Sequence, residues 1–151
     1  MIALYTDGAA KGNPGNGGYG AVLLFGKHRK ELSQGFRMTT NNRMELLAVI
    51  AGLEALNTNK HPITIYSDSK YVVDAINKGW LRSWVKKGYK GKKNIDLWKR
   101  FWELQKKFKL SFVWVKGHAG NIENERCDEL AVEAAKGPNL LVDEGFEATK
   151  N

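Results

Sequence analysis

Four acidic residues and one histidine stand where this sequence could do chemistry. Asp7 closes "LYTD", Asp68 closes "IYSD", Glu45 falls within "TTNNRMELLAV", Asp128 lies in "ERCDELA", and His118 lies in "VKGHAGN". The first two stretches echo each other. Residues two apart in a strand share a face, so Tyr5 points with Asp7 and Tyr66 with Asp68. Carboxylates that converge raise one another's pKa and cost stability unless a cation sits among them. An all-oxygen set favours magnesium or manganese over zinc. Two such ions about 4 Å apart can activate an attacking water and stabilise a leaving oxygen, so no side-chain nucleophile is required. His118 is a candidate for proton transfer or product release. Cys127 falls on a buried helical stripe, which argues against a thiol nucleophile.

Each acid also has a structural explanation. Glu45 has the spacing to form a capping box with Asn42. Asp7 before Gly8 could mark a turn, Asp68 could cap the next helix, and Asp128 could be a solvated helix acid. Taken singly these readings are favoured; the convergence of four carboxylates on one edge weighs against them together.

The elements around these residues decide whether they can converge. "MIALYTDG", "YGAVLLFG" and "KELSQGFRM" read as three strands of an antiparallel meander, with "KGNPGNGG" as the turn after the first. The spacing predicts a helix over 42–57, apolar on nearly every face and so buried against a sheet. "PITIYSD" reads as a fourth strand, 69–87 and 94–108 as helical, "LSFVWVKG" as a fifth strand, and "IENERCDELAVEAAKG" as a last helix. If the fourth strand follows by a right-handed crossover, Asp7, Asp68 and the first turn bearing Glu45 share one sheet edge. Strands about 4.8 Å apart then let two carboxylates reach one cation at about 2.1 Å from each. One domain over 1–137 is expected, with an acidic tail, 138–151, loosely held.

Composition narrows the partner. The chain has 151 residues, 42% of them hydrophobic, and a single cysteine, so it forms no internal disulfide. Neither a signal segment nor a membrane span is read from it, and a cytoplasmic protein is expected. Lys78 to Lys109 holds twelve basic residues against two acids, giving that stretch +10 and the rest of a +8 chain −2. It also holds Trp80, Trp84, Trp98 and Trp102, four of the five tryptophans. Bases interleaved with aromatics suit a nucleic acid, although Trp98 and Trp102, four apart on a helix, are better assigned to the core.

Five separated stretches, "YTDGAAKGNPGNGGYGAVL", "TTNNRMELLAVIAGLEAL", "IYSDSKYVVDAI", "KNIDLW" and "WVKGHAGNIENERCDELA", resemble in order those of the type 1 ribonuclease H family, to about residue 137. The resemblance implies an α/β fold: a five-stranded mixed sheet, strand two antiparallel, flanked by helices. It also implies metal-dependent endonucleolytic cleavage of the RNA in RNA/DNA hybrids, leaving 5′-phosphate and 3′-hydroxyl ends. Asp7, Glu45, Asp68 and Asp128 match that family's metal-binding carboxylates, holding two Mg2+ per site with Mn2+ as a substitute, and His118 its loop histidine. Asn13, Asn41 and Asn42 resemble its minor-groove contacts, where the 2′-hydroxyl distinguishes RNA from DNA. Thr40 and Asn94 match a pocket for a DNA-strand phosphate, and Trp80, Trp84, Lys86 and Lys87 a DNA-strand channel and basic protrusion. Lys70 stands at a substrate-contact position where many relatives carry glutamine. No obligate protein partner is expected, and the chain is expected to act as a monomer. Two alternatives remain open: a non-catalytic hybrid-binding module, and a nuclease of the same sheet that cuts duplex DNA.

Overall fold

Alternating apolar residues in the first forty positions produce three long strands in the computed structural model, which describes residues 1–117 and 120–150. β1 (Ile2–Lys11), β2 (Gly15–Phe25) and β3 (His28–Thr39) pair antiparallel in sequence order. After α1 (Asn41–Glu54) the chain crosses over, and β4 (Ile63–Ser67) lies parallel to β1. α2 (Lys70–Asn77), α3 (Trp80–Lys86) and α4 (Ile95–Gln105) lead to β5 (Leu110–Trp114), parallel to β4, and then to α5 (Ile122–Ala135).

The expected sheet of five strands gains a sixth. β6 (Leu140–Leu141) pairs with β3 at Gly35 and Phe36, so the order is β5-β4-β1-β2-β3-β6. The C-terminal residues expected to be loosely held are packed: β6 is followed by α6 (Glu144–Glu147) and a short 3-10 turn, Ala148–Lys150. Asp143, between them, is buried and paired with Arg43. The sequence pattern missed this because a two-residue strand has no period and the partners lie 100 residues apart.

The core fills one face of the sheet. Leu4, Ile63 and Ile65 from the strands meet Met44, Leu46, Ile50 and Leu53 of α1 and Trp98 and Phe101 of α4, all buried. Removing such side chains from water is the main stabilising term. Trp98 is the hub: Trp84 and Phe101 meet it edge-on at 5.6 and 6.1 Å, and its Nε1 donates to Tyr71 Oη at 2.8 Å. Trp102 is only half-buried at the edge of this cluster. The other face carries α5, which packs on β1, β2 and β3. Among the described residues no helix is long and apolar enough to cross a membrane.

Candidate active site

The register of β1 and β4 explains why two aspartates meet. Tyr5 pairs with Tyr66 and Thr6 with Ser67, so Asp7 and Asp68 each follow the last pair by one residue. The two tyrosine rings stack at 4.5 Å just behind them. Asp7 is not in a turn: β1 continues to Lys11, and Asp7 sits in strand opposite Gly20 of β2. Asp68 is not a cap, because Ser69 caps α2 by accepting from Val72 N at 3.2 Å.

Glu45 reaches the same place through a close approach of helix to sheet. A side chain at Gly8 would overlap the backbone of Met44 and Glu45, so only glycine lets α1 start this near β1. The N-cap of α1 is Thr40, whose hydroxyl accepts from Arg43 N at 3.2 Å. Glu45 is therefore the fifth helical residue, and the expected box with Asn42 does not form, since a returning side chain belongs at the third position.

Asp7, Glu45 and Asp68 present oxygens that all lie within 4.8 Å of one another. Asp7 is 5% and Glu45 9% exposed. Burial first, and then the charge of Asp68, push the Asp7 carboxyl up to about 8, although the Gly8 amide donates to its Oδ1 at 2.9 Å. Burial, followed by the charges of Asp7 and Asp68, raises Glu45 well above the usual carboxylate range. Glu45 Oε1 is buried with no hydrogen-bond partner. An orphaned carboxyl oxygen beside two further carboxyl groups fits a hard divalent cation, which prefers oxygen ligands and favours the ionised form of each. This group can hold a metal ion.

Asp128 stands outside that triad. α5 presses on β2 where a side chain at Gly20 would overlap the carbonyl of Cys127, which brings the half-buried Asp128 near enough for its charge to raise Asp7. Cys127 itself is fully buried and its thiol is pushed up by burial, as a packing residue would be. His118 lies outside the described residues.

The remaining candidates divide between two places. Asn13, Thr40, Asn42 and Asn94 line a cleft of ≈ 760 Å³ together with Arg43, Lys92 and Lys93. Asn41 ties its rim: its amide donates to Asn13 Oδ1 at 3.0 Å, and its own Oδ1 accepts from Ala10 N. Both side chains thus spend their carbonyls internally. Trp80, Lys86 and Lys87 are exposed on and just after α3, outside this cleft, with Lys78 Nζ 5.3 Å above the Trp80 ring. Trp84 is half-buried, and Lys92 covers its ring at 5.1 Å. Lys70 lies 4.8 Å over Trp114, whose Nε1 donates to the Asp68 carbonyl at 3.1 Å. Trp114 and Arg43 were not expected at the site. Arg43 had a signal, being the one basic residue in an otherwise buried apolar helix.

A six-stranded α/β sheet with an acidic triad at the β1/β4 edge defines a metal-dependent nuclease architecture. The RNase H family profile matches residues 1–136, and the chain belongs to that family, endonucleases that hydrolyse the RNA of RNA/DNA hybrids. The ribonuclease H of Rippkaea orientalis is 55% identical over 151 residues, covering 97% of this chain and 92% of the relative. That of Desulforamulus reducens is 58% identical over 147 residues, covering 94% and 92%. Among solved structures, LC9-RNase H1, a type 1 RNase H with the type 2 active-site motif, superposes with TM-score 0.81 at 28% identity, covering 99% of this chain and 81% of that one. LC11-RNase H1 in complex with RNA/DNA hybrid gives 0.70 at 26% identity, covering 90% and 97%.

Proposed function

We propose that this chain cuts the RNA strand of RNA/DNA hybrids with magnesium held by Asp7, Glu45 and Asp68, Asp128 completing the set from α5. The observation that carries this reading is the triad of oxygens within 4.8 Å with Glu45 Oε1 orphaned in the interior. Bound there, two Mg2+ ions, or Mn2+ in their place, would supply an activated water for in-line attack and stabilise the leaving oxygen, giving 5′-phosphate and 3′-hydroxyl ends.

The chain's own residues bind and orient. With their carbonyls held internally, Asn13 and Asn41 keep their NH2 groups as donors for the minor groove, beside the exposed Asn42. Glu45 is placed to accept from a 2′-hydroxyl. Thr40 and Asn94 take a DNA-strand phosphate, while Trp80, Trp84, Lys86, Lys87 and Lys70 carry the DNA strand by stacking and charge. That a relative of this fold was solved with an RNA/DNA hybrid supports this division of labour. His118 serves proton transfer or product release. The protein acts as a cytoplasmic monomer without an obligate protein partner.

The test is parallel incubation of labelled hybrid, duplex RNA and duplex DNA, with and without magnesium. Only the hybrid should be cut, only with the metal, and Asp7→Asn should lose cleavage while still binding hybrid. Cutting of all-DNA duplex, or near-normal turnover by Asp7→Asn, would overturn the reading.

A further inference from the structure

We propose that the C-terminal segment, which lies beyond the residues matched by the family profile, completes the substrate cleft, with Asp143 acting through Arg43 to position Asn94. The inference rests on the proposed reading of Thr40 and Asn94 as phosphate contacts.

Arg43 is buried, and each of its five N–H donors has an acceptor. Nε and Nη2 donate to Asp143 Oδ2 and Oδ1 at 2.8 and 2.9 Å. Nη1 and Nη2 donate to Asp96 Oδ1 and Oδ2 at 2.9 and 2.7 Å, and Nη1 also donates to Asn94 Oδ1 at 3.4 Å. A guanidinium with no donor to spare is not itself a phosphate ligand. It is a brace, and one side of the brace is the tail.

Asn94 sits at φ 60, immediately before α4, and is held at both ends of its amide. Its Oδ1 faces Arg43 and its Nδ2 donates to Tyr71 Oη at 3.0 Å. This fixes which end of the amide is donor and leaves one N–H of Nδ2 for the cleft that Asn94 lines. Tyr71 is anchored in turn by Trp98 Nε1. Asp143 is anchored independently of Arg43, accepting from Thr39 Oγ1 at 2.7 Å. Thr39 adjoins Thr40, the other expected phosphate contact.

The tail also supplies part of the cleft wall. A side chain at Gly145 would overlap Asp96 Oδ2 and press on Arg43 Nη2, so α6 lies directly on the ion pair and only glycine fits there. From that position Phe146 and Thr149 line the cleft with Thr40 and Asn94. β6, paired with β3, sets where this wall begins.

The consequence is specific to one part of the substrate. The carboxylate triad is carried by β1, β4 and α1, so weakening the tail should loosen a DNA-strand contact and leave turnover at saturation largely intact. The experiment uses the full chain carrying Asp143→Asn, assayed on hybrids with a single neutral methylphosphonate stepped along the DNA strand. Wild type should show a position at which KM rises by about tenfold, the worth of one hydrogen bond to a charged group. Asp143→Asn should raise KM about tenfold on unmodified hybrid with kcat within about twofold, and raise it no further at the sensitive position. If Asp143→Asn shows no cooperative melt above the assay temperature, Gly145→Ala, which keeps every charge, takes the same test.

Equal rises in KM at every methylphosphonate position would make the tail a purely structural element and overturn the inference. So would an unchanged KM in the folded variant, or a wild type with no sensitive position. Wild type that fails to cut hybrid with magnesium would instead overturn the proposed function, so the two failures are distinct.

Discussion

Two acidic groupings flank the first turns of α1, one around the buried Arg43 and one around the buried Glu45, and the chain treats them in opposite ways. At Arg43, the carboxylates of Asp143 and Asp96 meet a guanidinium in two bidentate pairs, and Arg43 holds Asp96 below its usual range. At Glu45, two residues along, Asp7 and Asp68 converge without an ion pair to any of the three among the described residues, and one oxygen has no partner. The fold can plainly bring a cation to a buried acid when it needs one. Leaving three carboxylates uncompensated destabilises the apoprotein, and that unfavourable free energy becomes binding free energy for a divalent ion. The paired grouping holds the structure together; the unpaired one is held by the structure.

The largest effect that would break this contrast is at Asp7. A carboxyl raised to about 8 binds its proton more tightly folded than unfolded, so its contribution to stability is present below the ordinary range near 3.8 and is lost as pH rises through 8. Asp7→Asn should therefore melt higher than wild type without metal and yet, lacking a carboxylate that would hold the ion, lose hybrid cleavage. The gap should widen from pH 5 to pH 8 and reach at least about 4 °C, since a chain of this size shifts roughly 2–4 °C per kcal/mol. Magnesium at pH 8 should raise the wild-type melting temperature and barely move the variant. A variant melting below wild type at pH 8 would mean the triad is not a site of stored repulsion.

Next in size is the paired grouping. Arg43→Met leaves Asp143 buried without its cation and should cost about 3–5 kcal/mol, with a fall in melting temperature on the order of 10 °C. The double variant with Asp143→Asn should recover part of that loss, since the orphaned charge goes with it. Loss of folding in Arg43→Met with no recovery in the double variant would place the cost in packing rather than charge.

How much of this contrast was legible follows from the range of the interactions. Asp7 and Asp68 were readable because strand period and crossover handedness carry a residue to a sheet edge without knowledge of its neighbours. Glu45 was readable as near a helix start, but the absence of its capping box was not, since Thr40, Asn41 and Asn42 are all acceptable caps and Thr40 takes the role. Asp128 was placed near the site by topology, yet its distance from the triad depends on how closely α5 settles over Gly20. The tail's role was illegible. Its acidic composition reads as solvated, and its order comes from partners 100 or more residues away in the chain: Arg43 and Thr39 on Asp143, Arg37 on Glu147, and β3 beside β6.

The smallest effect isolates burial as the variable. Glu31 lies in a third grouping, accepting from Arg126 Nε and Nη2 at 2.9 Å and from Arg29 Nη2 at 2.9 Å, while Arg29 also pairs with Glu123. The pairing geometry matches that of Arg43 with Asp143, whose side chains are 3% and 8% exposed, but the Glu31 side chain is 31% exposed. Arg126 first, then Arg29, hold its carboxyl down at about 2, so its contribution is present above the ordinary carboxylate range and lost as pH falls through 2. Water and salt screen an exposed network, so Glu31→Gln should cost less than about 1 kcal/mol at neutral pH, and 1 M salt should shrink that further. If Glu31→Gln cost as much as Arg43→Met, the number of charge-assisted hydrogen bonds would explain the paired grouping better than its burial. The contrast with the triad would then have to be redrawn on pairing alone.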